Sequence, residues 1–119
     1  MLAPSGIFLV ASATDATHGI PNIINAHPHS SEQVSVVHNG IIENHQELKD
    51  FLINNGYEFY SETDTEVIPN LIDFHFKNLG NLEQAFEKTI QELRGAYAIL
   101  AMHKSDTKTL YAAKLGSPL

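Results

Sequence analysis

The stretch GAYAILAMHKSDTKTLYAAK, residues 95–114, decides the fold class. Gly95 to His103 is a run of small, aromatic and aliphatic residues, Ser105 to Lys108 supplies a polar turn, and Thr109 to Lys114 is a second β-type run. Together they predict a β-hairpin. Immediately upstream the hydrophobic period changes. Leu82, Phe86, Ile90 and Leu93 recur at the spacing of one helix face, and Asn81 with Gln84 has the form of a capping box at its start. A helix followed by a hairpin in a chain of this size predicts helices packed on an antiparallel sheet, an α+β arrangement.

Two further helices are predicted toward the N-terminus. Thr63 with Glu66 precedes Val67, Ile68, Leu71, Ile72 and His75. Asn44 with Glu47 precedes Leu48, Phe51 and Leu52, and Gly56 ends that helix. Pro69 falls inside the middle helix and is expected to kink it, because it removes a backbone donor. Tyr57 to Tyr60 is expected to be a short strand, and Phe51, Phe74, Phe76 and Phe86 to fill core and helix-surface positions. Gly6–Ser12 and Gln33–His38 are predicted strands. The interval between them, Thr14 to Ser31, reads as a long ordered loop, of a length usually kept for function.

Composition narrows the classes. At 119 residues the chain holds at most one domain. A formal net charge of −7 leaves no basic footprint for nucleic acid and disfavours an anionic membrane surface. No apolar run approaches the ~20 residues that span a bilayer. The opening apolar run lacks the basic flank of a signal peptide, so the expected location is the cytoplasm. With no cysteine in the chain, disulfides, thiolate metal sites and a thiol nucleophile from these residues are all excluded.

Polar residues at the ends of predicted elements form three candidate site segments: THGIPNIINAHPH (17–29), VVHNGIIEN (36–44) and SETDTEVI (61–68). An Asn-Gly pair after a β run ordinarily marks a tight turn. Alternatively, the Asn39 amide and Gly40 backbone N–H form an oxyanion hole, both pointing at one developing negative oxygen. Asp64, in a helix first turn, either complements the helix dipole or binds the ammonium group of an amino-acid ligand. Thr17, His18 and Gly19 form either a simple turn or a set of donors to a ligand carboxylate. His27-Pro28-His29 invites a metal reading, but no Cys, Asp or Glu close by completes a tetrahedral set, so no metal is expected and the histidines read as loop supports. No cofactor is expected.

These segments, in this order and followed by LRGAYAI (93–99), resemble the glutaminase domain of class II, N-terminal-nucleophile glutamine amidotransferases. NAHPH and HNGIIENH favour the hexosamine-forming branch, the glutamine–fructose-6-phosphate aminotransferases (isomerizing), or glucosamine-6-phosphate synthases. The resemblance runs from about Ala16 to Leu119, with residues 1–15 divergent. It implies an αββα sandwich, truncated here, in which an N-terminal cysteine attacks the glutamine side-chain amide and its own α-amino group serves as base. It further implies that Asn39 and Gly40 form the oxyanion hole, that Asp64 holds the substrate ammonium, and that Thr17 and His18 help bind its carboxylate. In full-length relatives the ammonia passes to a sugar isomerase domain.

The departures are equally informative. The family carries an Arg-Trp pair before Ala-Thr-His-Gly, whereas Thr14-Asp15 stands here, and Asp15 would repel a substrate carboxylate. Without its nucleophile the chain alone is expected to be inactive, with glutamine binding weak or lost. The alternatives are a non-catalytic amino-acid-binding or regulatory module, and a subunit completed in trans. Unpaired sheet edges would also favour homo-oligomers.

Overall fold

In the computed structural model, residues 6–12, 29–30, 33–60, 64–104 and 106–115 are described. Their order is β1 (Gly6–Ser12), β2 (His29–Ser30), β3 (Val34–Ile42), α1 (His45–Asn54), a 3-10 turn (Asp64–Glu66), α2 (Val67–Leu79), α3 (Leu82–Glu92), β4 (Gly95–His103) and β5 (Asp106–Leu115). The strands form one antiparallel sheet in the order β1-β5-β4-β3-β2. The α+β expectation is met.

The core lies between one sheet face and the helices. Side chains alternate across a strand, so Val34, Val36 and Ile42 of β3 share a face with His38 and Gly40. They meet Tyr97, Ile99 and Ala101 of β4, Tyr111 and Ala113 of β5, Leu52 of α1, four residues of α2 (Val67, Ile68, Leu71 and Ile72) and Phe86 of α3. A smaller cluster of Met102, Leu110, Val37 and Leu100 forms separately. By alternation from Val36, Val37 belongs to the opposite face, along with Asn39 and Ile41.

Several predicted details change. β3 does not end at His38 but continues through Asn39 and Gly40 to Ile42, paired with β4 throughout (Asn39↔Ala98, Gly40↔Tyr97). The Asn-Gly turn is therefore not formed. Gly40 stays in the ladder at φ +105, and a Cβ there would overlap the Ala96 carbonyl oxygen. Two residues of the predicted loop, His29 and Ser30, pair with β3. Tyr57–Tyr60 forms no strand. The hairpin connection is tighter than expected, because β5 already starts at Asp106, opposite His103.

The helix starts also differ. Asn81 caps α3 as predicted, its side chain accepting a hydrogen bond from the Gln84 N–H at 2.8 Å. Asn44 makes no cap to α1. Its amide instead donates to the Glu92 carbonyl at 2.8 Å and accepts from the Arg94 N–H at 2.9 Å. Thr63 lies outside the described residues, and Glu66 makes no side-chain cap to α2. With the 3-10 turn placed before α2, Pro69 falls in the first α-helical turn, where a missing N–H is tolerated. Of the four phenylalanines, Phe86 is buried, while Phe51 packs edge-on against Phe74 at 5.0 Å and remains 43% exposed.

Candidate functional site

The candidate site forms where the 3-10 turn meets the far half of β3. Asp64 opens the turn, half-buried, and its Oδ2 accepts a hydrogen bond from the Ile42 N–H at 2.9 Å. This bond crosses between elements, so Asp64 is more than a partner of its own helix dipole. The next residue, buried Thr65, meets His38 on the same strand, Oγ1 to Nδ1 at 2.8 Å. Glu66, also buried, accepts from the Tyr60 N–H at 2.8 Å.

Asn39 and Gly40 lie between the two strand residues that the turn holds, His38 and Ile42. Asn39 is exposed, and Ile41 beside it is 67% exposed. Asp64 and the Asn39-Gly40 pair, predicted from separate segments, are thus brought to one stretch of strand. Thr17, His18 and Gly19 lie outside the described residues, as do Thr14, Asp15, His27 and Pro28. No group of three or more His, Cys, Asp or Glu arranged to hold a metal occurs among the described residues. Sequence reasoning did not single out His38 or Thr65. Their link joins residues 27 positions apart and carries no local pattern.

The far end of β3 is also braced from behind. The Glu43 N–H donates to the Arg94 carbonyl at 2.7 Å, next to the paired Asn44 bonds to Glu92 and Arg94. Glu92 in turn joins α3 to α2, its Oε1 lying 2.6 Å from His75 Nε2. The strand segment bearing Asn39, Gly40 and Ile42 is therefore held on both sides.

A model of the glutamine amidotransferase domain matches residues 21–116. The chain belongs to that family. Among curated relatives, this amidotransferase domain is 50% identical over 110 residues to glutamine–fructose-6-phosphate aminotransferase [isomerizing] of Yersinia pseudotuberculosis and 51% identical over 110 residues to that of Escherichia coli K12. In each case 92% of the chain is covered but only 18% of the relative, so these relatives extend far beyond the matched region. The chain is thus similar to glutamine–fructose-6-phosphate aminotransferases, as NAHPH and HNGIIENH suggested. Among solved structures, the amidotransferase domain superposes on the glutamine phosphoribosylpyrophosphate amidotransferase of Bacillus subtilis with a TM-score of 0.52. That match has 22% identity and covers 88% of this chain and 23% of the other. A second, titled as the allosteric regulatory enzyme of purine biosynthesis, has a TM-score of 0.51 and 26% identity over 71% of this chain and 22% of that one. No described helix is long and apolar enough to cross a membrane.

Proposed function

We propose that these residues form the glutamine-recognising part of a hexosamine-forming amidotransferase, which liberates ammonia from glutamine for transfer to fructose 6-phosphate on a sugar isomerase domain. The observation that carries this reading is the anchored Asp64 carboxylate, tied to Ile42 two residues beyond Gly40. One carboxylate oxygen is engaged by the backbone, and the other is suited to a substrate ammonium. The Asn39 amide and Gly40 N–H are the proposed donors to the oxyanion that forms when the side-chain amide is attacked. Thr17 and His18 are proposed to receive the substrate carboxylate.

The attacking thiol must come from outside these residues, since they include no cysteine. We therefore expect the isolated 119-residue chain to lack glutaminase activity. Release of glutamate above the buffer rate by the purified chain would overturn this. Titration calorimetry with L-glutamine tests recognition separately. Saturable binding lost in Asp64→Ala supports the reading, and binding unaffected by that substitution removes Asp64 from it.

In our reading the sheet is one layer of an αββα sandwich. The apolar cluster of Val37, Leu100, Met102 and Leu110, apart from the main core, supports this as the face on which a second sheet packs. A second reading, a non-catalytic amino-acid-binding module, is favoured by the same absence of cysteine. It requires glutamine binding without turnover even when a cysteine-bearing strand is supplied in trans. Thr14-Asp15 in place of the family's Arg-Trp pair makes weak affinity the expected result in either case.

A further inference from the structure

The 3-10 turn touches β3 at two points, one on either side of Gly40. Before it, His38 Nδ1 meets Thr65 Oγ1 at 2.8 Å; beyond it, the Ile42 N–H meets Asp64 Oδ2 at 2.9 Å. His38 and Ile42 flank Gly40, so the turn spans this stretch of strand. His38 is covalently next to Asn39, and Thr65 is next to Asp64. The His38–Thr65 bond thus couples the immediate neighbours of the two groups assigned to opposite ends of the glutamine substrate. Thr65 is only 7% exposed, so solvent competes little for its hydroxyl.

We infer that His38 and Thr65 are positioning residues that set the separation between the Asp64 carboxylate and the Asn39-Gly40 donors. The inference rests on the glutamine reading above for what is positioned, while the tether itself can be measured without ligand. Proline at residue 69 restricts the first turn of α2 through its own φ, but a fixed φ does not by itself hold the turn against sliding along the strand. The two side-chain bonds to β3 oppose that sliding. Losing the His38–Thr65 bond shifts the restraint onto the Asp64–Ile42 bond, and the Ile42 amide then reports on where the carboxylate sits.

The test is amide hydrogen exchange by NMR on the full 119-residue chain, combined with glutamine titration. Thr65→Val keeps the side-chain shape and removes the hydroxyl. His38→Gln moves the polar group away from the Nδ1 position. Each is expected to speed Ile42 exchange by about tenfold, the scale of one lost hydrogen bond, while Ile99 in the central strand β4 keeps its protection. Thr65→Ser and His38→Asn, which retain a polar atom near the original position, are expected to stay close to the unsubstituted chain. Glutamine affinity should fall in the first pair and be retained in the second.

Native protection at Ile42 in both Thr65→Val and His38→Gln would overturn the inference. So would equal acceleration at Ile42 and Ile99, since that is general loosening. If the unsubstituted chain binds no glutamine but the exchange pattern holds, the functional reading fails and the tether stands.

Discussion

Gly40 and Gly80 both adopt positive φ, at 105° and 71°, yet their surroundings separate two effects that are usually confounded. Gly80 follows α2 in the left-handed region, its N–H donating to the Phe76 carbonyl at 2.8 Å, and nothing lies within 4 Å of an added Cβ. Gly80→Ala should therefore cost only the backbone preference, about 1 kcal/mol. At Gly40 an added Cβ overlaps the Ala96 carbonyl oxygen and falls 2.7 Å from the Tyr97 Cα, both of them backbone atoms unable to step aside. Gly40→Ala should cost at least about 3 kcal/mol, the strain plus displacement of β4. Urea unfolding of the two variants checks the ranking, and equal losses would mean that the contact with β4 contributes nothing. Sequence reading identified Gly40 but left a tight turn open beside the oxyanion role, because Asn-Gly usually supplies two positive φ values in a hairpin. Here a single positive φ is accommodated inside a paired strand, which only the approach of β4 reveals.

Two tyrosines give the chain a predictable alkaline limit. Burial raises the Tyr57 phenol well above its ordinary value, reinforced by its 2.8 Å hydrogen bond to Asp73 and by the charge of that carboxylate. Burial alone pushes Tyr97 up to about 12. The folded state thus holds these protons more tightly than the unfolded chain does. Their stabilisation is complete below the unfolded value of about 10 and is lost as pH rises from there through the folded values. The urea midpoint should fall between pH 9.5 and about 12, and Tyr57→Phe should flatten the fall. A midpoint that holds or rises across that range contradicts the assignment.

At the scale of elements, two asparagines that look alike in sequence do different jobs. Asn81 caps α3, so Asn81→Ala should lower stability by about 1 kcal/mol. Asn44 precedes α1 but spends both ends of its amide on Glu92 and Arg94, joining the exit of β3 to the entry of β4. Asn44→Ala should cost about 2 kcal/mol, two neutral hydrogen bonds, and Asn44→Asp should fail to rescue it because the donor to Glu92 is gone. Chemical denaturation of the three variants reads both claims. The reason the sequence could not distinguish them is physical. A cap pairs residues three apart, whereas the Asn44 bonds span 48 and 50 positions. The same holds for Asp64 and Thr65. Their residue types were legible, but the strand residues that receive them lie more than twenty positions upstream.

Over the whole molecule, the apolar periods were the most readable feature, because burial on one face is what selects them. The spacing Leu82, Phe86, Ile90, Leu93 put the completely enclosed Phe86 on the correct face, where it meets Tyr111 at a ring separation of 5.4 Å. Phe86→Ala should cost about 3–5 kcal/mol, a large share of a small domain's stability, as thermal unfolding followed by circular dichroism would register. Sheet order was not readable, since the pattern of a strand records which face is buried and says nothing of its neighbour. The edges of the described sheet are β1 and β2, and we expect the chain to associate through an edge. A strictly monomeric sedimentation profile at high concentration would count against it.

The placement of β1 beside β5 also has a consequence in time. Gly6 pairs with Leu115 and Ser12 with Thr109, so β1 meets this partner only after the roughly hundred residues between them have been synthesised. Hairpin β4–β5 and the α2–α3 pair join near neighbours and can close early, whereas β1 must wait through the largest loop closure among the described strand pairs. During translation β5 is therefore the last described strand to emerge, and β1 the strand held longest without a partner. Pairing of β1 with β5 therefore waits on β5, and a ribosome stalled before residue 106 would carry a chain in which β1 still lacks that partner.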